Sequence, residues 1–142
     1  MNINPKLLKN VNEQLTLINN KLDTKIDKGI LLWTNSNPTS SFSSQDINVN
    51  LSSYKYIEVI FRDTSDDTLY QSSGKVYVGS GAKTINHTWL SGLGEVLLFR
   101  TFRTTTSKAS FENCYAVKLD DGTIPSSQNA CMIPYKIIGY KN

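Results

Sequence analysis

The stretch YKYIEVIF (residues 54–61) is rich in aromatic and β-branched residues, a composition that favours an extended strand. Apolar and polar residues also alternate in INVNL (47–51), and further short apolar stretches follow to the end of the chain. Turn residues separate about seven to nine such stretches, as they do in antiparallel sandwiches. Helices do not alternate with them, which argues against a parallel sheet. The sequence therefore predicts a mainly β domain, an antiparallel β-sandwich of the jelly-roll type.

Several single residues within these stretches suggest a local structure. Pro134 lies in the last predicted strand, where a proline indicates an edge position or a bulge. Arg100 and Arg103 lie near a strand end, where such a pair is typical of an exposed face. Cys114 and Cys131 are each surrounded by apolar residues, which favours buried thiols, although one disulfide between neighbouring strands stays open.

The first 28 residues have a helical period instead of the two-residue period of strands. Asn4 followed by Pro5 is a typical helix start, and Gly29 is a natural C-cap. Apolar residues at alternate spacings of three and four form one seam: Leu8, Val11, Leu15, Ile18 and Leu22. In heptad terms, leucine fills the a positions and valine or isoleucine fills the d positions. This arrangement favours coiled coils of three or four helices over those of two.

This seam allows two interpretations. The helix could pack on its own domain, but helices that do so usually show a wider apolar face. A narrow a/d stripe buries well against copies of itself, so we expect residues 1–28 to be a coiled-coil oligomerisation segment of a homotrimer. Residues 29–142 then form the β-sandwich binding domain. About two and a half heptads are marginal alone, so the β domain is expected to help hold the oligomer together.

Charge and hydropathy exclude some classes of partner. The net charge is only +3 and the basic residues are scattered, so we expect no nucleic-acid partner. No run approaches the roughly 18 apolar residues of a membrane helix, so we expect no membrane insertion. The N-terminus does not resemble a signal peptide, and we therefore expect synthesis in the cytoplasm of the producing cell without a signal peptide.

Residues with catalytic or metal-binding potential are few. His87 is the single histidine, and no cysteine or carboxylate stands at zinc-ligand spacing from it. Glycan hydrolysis needs two facing carboxylates, whereas most carboxylates here mark turns or solvent-facing strand positions. The acidic stretch at 63–67 lacks the spacing of a calcium loop and fits a solvated turn better. We therefore predict no catalytic residue, no metal site and no cofactor.

Aromatic residues suggest binding instead of catalysis. Tryptophans and tyrosines, whose flat rings carry a polar tip, recur along the β region: Trp33, Tyr54, Tyr56, Tyr70, Tyr77, Trp89, Tyr115, Tyr135 and Tyr140. Trp89 stands out because it precedes a glycine-rich turn and lies beside His87. The predicted ligand-binding set, at the loop end of the sandwich, comprises Trp89, His87, Tyr70, Asp66 and Asp67.

Three segments resemble a known class of protein: LWTNSNPTSSF (32–42), LSSYKYIEVIF (51–61) and CMIPYKIIGYK (131–141). Together they are similar to the C-terminal receptor-binding or tip domain of tail-fibre and minor structural (baseplate) proteins from phages and prophages of Gram-positive bacteria. The resemblance covers about residues 30–141. It carries no site motif, so no functional residue follows from it.

This resemblance implies a function in host attachment. The chain would be part of the virion tail or baseplate, would contact other tail proteins, and would bind host cell-surface polysaccharide as a homotrimer. Two alternatives stay open at this point. One is a purely architectural trimeric component that binds only other virion proteins, and the other is a carbohydrate-active enzyme such as a depolymerase or glycosidase.

Overall fold

One helix begins the chain, and only strands follow it in the residues that the structure describes. The computed structural model describes residues 4–25, 28–62, 70–91, 94–123 and 127–141. The helix is α1 (Pro5–Lys25). The strands are β1 (Ile30–Thr34), β2 (Gln45–Asn48), β3 (Tyr56–Arg62), β4 (Tyr70–Ser72), β5 (Val76–Tyr77), β6 (Lys83–Ser91), β7 (Gly94–Thr104), β8 (Lys108–Lys118) and β9 (Ile133–Tyr140).

The strands form two antiparallel sheets. Sheet A has the order β1-β9-β3-β4, and β5 pairs with the same edge of β3 as β4 does. Sheet B has the order β2-β8-β7-β6. Because β1 pairs with β9 and β2 with β8, each sheet joins strands from the two ends of the β region. The predicted mainly β, antiparallel architecture after one N-terminal helix is confirmed.

Phenylalanine side chains hold the two sheets face to face. The ring of Phe61 in β3 lies 6.2 Å from that of Phe102 in β7 and 6.4 Å from that of Phe111 in β8, measured between centroids. Along β3 the buried side chains Ile57, Val59 and Phe61 alternate with more exposed ones, as the period of two predicts. Full burial of such a side chain contributes about 1.5–3 kcal/mol to the free energy of unfolding.

A proline lies inside a central strand of sheet A. The neighbours of β9 are β1 and β3, so Pro134 is not on an edge strand. The register shifts at this point, because Ile60 pairs with Lys136 while Phe61 pairs with Pro134. Of the two placements expected from the sequence, the chain therefore adopts the bulge, which tolerates the missing backbone N–H.

Arg100 is fully buried between the sheets, and backbone carbonyls surround its guanidinium. Its Nη1 donates to Glu112 O at 2.7 Å, and its Nη2 donates to Phe42 O at 2.9 Å and to Cys131 O at 3.4 Å. The guanidinium also lies 5.5 Å from the centroid of the Phe42 ring. Burial lowers the pKa of Arg100 to about 10, which leaves it charged at neutral pH.

The expectation that Arg100 and Arg103 share an exposed face is wrong for Arg100. Arg103 is exposed and pairs with Glu112 at 3.3 Å. Arg100, in contrast, falls in phase with the buried residues Leu98 and Phe102 along β7. Residues three apart on a strand point to opposite faces, so the two arginines could not lie together.

The two cysteines also lie in the interior. Cys114 of β8 and Cys131, in the turn before β9, are both buried and are thiols, not a disulfide. This confirms the arrangement favoured by the sequence. Their small apolar side chains contribute to the same core as the phenylalanines.

We expect Arg100→Met to lower the free energy of unfolding by about 3 kcal/mol or more. Methionine keeps the unbranched apolar stem of the side chain but leaves three buried carbonyls without their donor, and each such loss costs about 1–3 kcal/mol. Urea denaturation measures the change. The matched control is Arg103→Met on the same strand, where loss of an exposed ion pair changes stability by less than about 1 kcal/mol. Equal effects of the two substitutions would contradict a special role for Arg100.

Candidate functional site

The apolar seam of α1 is exposed to solvent in the single chain. Four of its side chains are between 47% and 51% exposed: Leu8, Val11, Leu15 and Ile18. Leu22 lies in the helix at the next seam position, but its side chain is not described. No described strand makes extensive contact with α1. The seam therefore runs along the helix without cover from the chain's own sheets.

The start of α1 follows the pattern that the sequence predicts. Asn4 Oδ1 accepts a hydrogen bond from the backbone N–H of Lys6 at 3.0 Å, which satisfies one of the donors that a helix start leaves open. Pro5 is the first residue of the helix. The predicted N-cap is confirmed, and the helix start needs no contact with the sheets.

The structure places three of the predicted ligand residues on two strands. His87 is exposed in β6, and Trp89 follows in the same strand, paired with Val96. Tyr70 is the first residue of β4. The side chains of Trp89 and Tyr70 are not described, and Asp66 and Asp67 lie outside the described residues. This set therefore stays a prediction.

These two strands meet at the edges of the sheets. Gln71 Nε2 donates to Asn86 O at 2.5 Å, which joins β4 of sheet A to β6 of sheet B. Tyr70 is next to Gln71 in the chain, and His87 is next to Asn86. The contact therefore links the strand of Tyr70 to the strand of His87, two residues that are 17 positions apart in sequence.

A second group of residues, not singled out by the sequence, is more completely described. Tyr140, Tyr56 and Tyr77 occupy paired positions on the adjacent strands β9, β3 and β5, and we call them the tyrosine row. They lie on the face of sheet A that points away from sheet B, since the next residue, Ile57, is buried in the core. The rings of Tyr56 and Tyr77 are 4.4 Å apart between centroids.

Glu58 holds one side of the tyrosine row in place. Its Oε2 accepts a hydrogen bond from the hydroxyl of Tyr140 at 2.6 Å, and its Oε1 accepts one from the hydroxyl of Ser72. Both carboxylate oxygens therefore bind side chains of neighbouring strands. Charge-assisted hydrogen bonds of this kind are stronger than neutral ones and fix the orientation of the Tyr140 ring.

Lysines and a phenol pair give the row its electrostatic character. The Lys75 ammonium lies 4.0 Å from the Tyr140 ring centroid, and that of Lys55 lies 5.4 Å from the Tyr56 ring centroid. The Tyr56 hydroxyl donates to the Tyr77 hydroxyl at 2.9 Å. The hydrogen bond to Tyr56 keeps a proton shared between the two phenols, and a second phenolate beside Tyr56 would be repelled; together these effects raise the pKa of Tyr77.

The chain enters sheet A beside the tyrosine row. A Cβ atom at Gly29 would lie 2.5 Å from Cε1 of Tyr140 and 2.5 Å from Cγ2 of Ile138. Only a residue without a side chain fits against them at this distance. Gly29 therefore brings the segment after α1 against the same face of sheet A that carries the row.

The chemistry available at the row suits non-covalent recognition, because it offers aromatic rings, hydroxyls and ammonium groups. Across the described parts of the chain, no three His, Cys, Asp or Glu side chains come together as a metal site. The one described helix is not apolar enough to cross a membrane. The tyrosines could be found in the sequence, but their alignment depends on strand register, which the sequence does not reveal.

Comparisons of the chain with protein-family models, with curated proteins and with solved structures gave no match. The similarity to phage tail proteins therefore stays a prediction from the sequence. The function has to be inferred from the seam of α1 and from the surfaces of the two sheets.

Proposed function

We propose that this chain is the receptor-binding tip of a tail fibre or baseplate from a phage or prophage of Gram-positive bacteria. It forms a homotrimer through α1, contacts other tail proteins, and attaches to host cell-surface polysaccharide. The observation that carries the proposal is the seam of α1, which the chain's own sheets leave uncovered. The part of the proposal that places the chain in a virion rests on the sequence resemblance.

Energetics favour burial of this seam between copies. A helix of 21 residues is about 30 Å long, and helices of this kind are marginal in water without packing. The seam side chains are already half-exposed, so association would remove their remaining apolar surface from water at about 25 cal/mol per Å². Self-association supplies the packing that the single chain lacks.

The order of residues in the seam supports a trimer. Leucine occupies the a positions at Leu8 and Leu15, and β-branched residues occupy the d positions at Val11 and Ile18. This arrangement favours three or four helices over two. Leu31, in β1, is a further large apolar side chain that is exposed in the single chain. In the proposed trimer, β1 adds to the contact between copies.

The jelly-roll topology is part of the same proposal. Pairing of β1 with β9 and of β2 with β8 supports it, since a jelly roll brings the two halves of the chain together in this way. The pairs of β3 with β4, of β6 with β7 and of β7 with β8 join strands that follow one another along the chain.

A second candidate function is that of an architectural joint, and the outer face of sheet B favours it. Phe99 of β7 stacks on Tyr115 of β8 with ring centroids 5.7 Å apart. Leu97 and Val117 form the neighbouring cross-strand pair and are only partly buried. An apolar surface of this kind suits a protein partner such as another tail component.

We expect glutamate at both Leu15 and Ile18 to reduce the solution mass to that of one chain, 15.9 kDa, because charges in the seam would be buried unpaired. Light scattering measures the mass. The control is Leu17→Glu, since Leu17 is 49% exposed, close to the 51% and 50% of Leu15 and Ile18, but lies outside the seam. Loss of the oligomer in the control as well would count against the heptad assignment.

We also expect Trp89→Ala to weaken attachment to Gram-positive cell walls about tenfold, as removal of an aromatic anchor does, without lowering the melting temperature. Wall pull-down and thermal denaturation measure the two effects. Thr88→Ala is the control, because Thr88 is exposed on the opposite face of the same strand. Wild-type attachment by the Trp89 variant would remove this residue from the binding site.

A further inference from the structure

We infer that the tyrosine row binds an oligosaccharide carrying an acidic group. This rests on the proposed function, because it names the site and the class of polysaccharide involved. The row lies on sheet A, away from the set around Trp89 and His87 that the sequence indicates. Its side chains are described, and they do not contribute to the core between the sheets.

The spacing of the row matches a chain of sugars. Adjacent strands are about 4.8 Å apart, so three paired tyrosines span about 10 Å from the first ring to the last. Two linked sugar rings have a similar length. Aromatic faces pack against the C–H surface of a sugar ring, and Tyr77, at 54% exposure, is the most accessible of the three. A disaccharide or a longer ligand should therefore bind better than a monosaccharide.

One hydroxyl group of the row is able to donate outward. The oxygen of Tyr77 accepts from Tyr56, so the Tyr77 O–H itself can donate to a ligand oxygen. Both oxygens of Glu58 already accept hydrogen bonds, from Tyr140 and Ser72, and the ammonium groups of Lys55 and Lys75 add further donors to the row. Such a surface complements hydroxyl, carboxylate or phosphate oxygens of a ligand.

The charge of the row selects the ligand class. Lys55 and Lys75 lie against rings of the row, and Lys141 follows Tyr140 in the chain. In the described structure Glu58 is the one carboxylate that is hydrogen-bonded to the row. Among the described groups at the row the cations outnumber the carboxylates, and this favours an acidic saccharide over a neutral one. It also favours a saccharide over a protein, since protein interfaces are rich in tyrosine but depleted of lysine.

The row is also organised before the ligand arrives. Tyr140 is held by Glu58 and by the ammonium of Lys75, and Tyr56 is held by Tyr77. Less side-chain freedom is then lost on binding, which favours affinity. Gly29 places each row next to the segment after α1, so the proposed trimer carries three rows near its stalk. Three weak sites on one particle give a high avidity for a repeating polymer.

The test uses the full chain and muramidase-released wall fragments of a Gram-positive bacterium, with binding measured by calorimetry. A second batch of fragments is treated with hydrofluoric acid, which removes polymers linked through phosphodiesters. We expect Tyr77→Ala to weaken binding about tenfold, Tyr77→Phe to weaken it less, and Lys75→Gln to reduce its salt dependence. Tyr115→Ala, on the outer face of sheet B, is the matched control and should bind as the wild type does. Circular dichroism checks that each variant is folded.

The outcomes separate the inference from the proposed function. Wild-type binding by Tyr77→Ala, or a loss confined to Tyr115→Ala, overturns the tyrosine row as the site while attachment to the wall stands. Treated and untreated fragments could also bind equally well. If Lys75→Gln still lowers the salt dependence in that case, the acidic group of the ligand is not a phosphate. If Lys75→Gln has no effect on the salt dependence, the inference of an acidic ligand is overturned. No binding by the wild-type chain overturns both the inference and the polysaccharide part of the proposed function.

Discussion

The buried guanidinium of Arg100 joins parts of the chain that no sheet pairing connects. Burial of a cation costs several kcal/mol, and no carboxylate of the described residues forms an ion pair with it. The cost is offset by carbonyls from three segments, at Phe42, Glu112 and Cys131. Phe42 lies in the connection between β1 and β2, and Cys131 in the turn before β9. Arg100 therefore fixes the connection before β2 and the turn before β9 against sheet B, and this helps to position β9 in the centre of sheet A.

The outward surface of sheet A depends on that placement. β9 carries Tyr140 into register with Tyr56 on β3, and β5 adds Tyr77 on the far side. The inward residues of the same strands fill the core, so the outward ones are available for recognition. α1 differs from the sheets in this respect, because no strand in the described part of the chain packs extensively against its apolar side. One molecule thus contains a packed core between its sheets and a helix whose apolar seam is exposed.

The sequence predicted most features that depend on local period. The alternation in 54–61 indicated strand β3, the spacing of Leu8, Val11 and Leu15 indicated one helical face, and Asn4 indicated the helix start. Features that depend on tertiary pairing could not be predicted. The tyrosines of the row are separated by many residues, and only strand register brings them together. The burial of Arg100 was mispredicted. Its position in phase with Leu98 and Phe102 indicated an inward-facing side chain, but the prediction gave more weight to the charge of the residue.

We propose that the seam of α1 is buried only in an assembly of copies joined through this helix. The mass of the intact wild-type chain in solution, measured by light scattering over a range of concentrations, tests this most directly. The account predicts three times the 15.9 kDa of one chain. A mass of 15.9 kDa at all concentrations would contradict it, because the seam of α1 would then stay exposed without a partner.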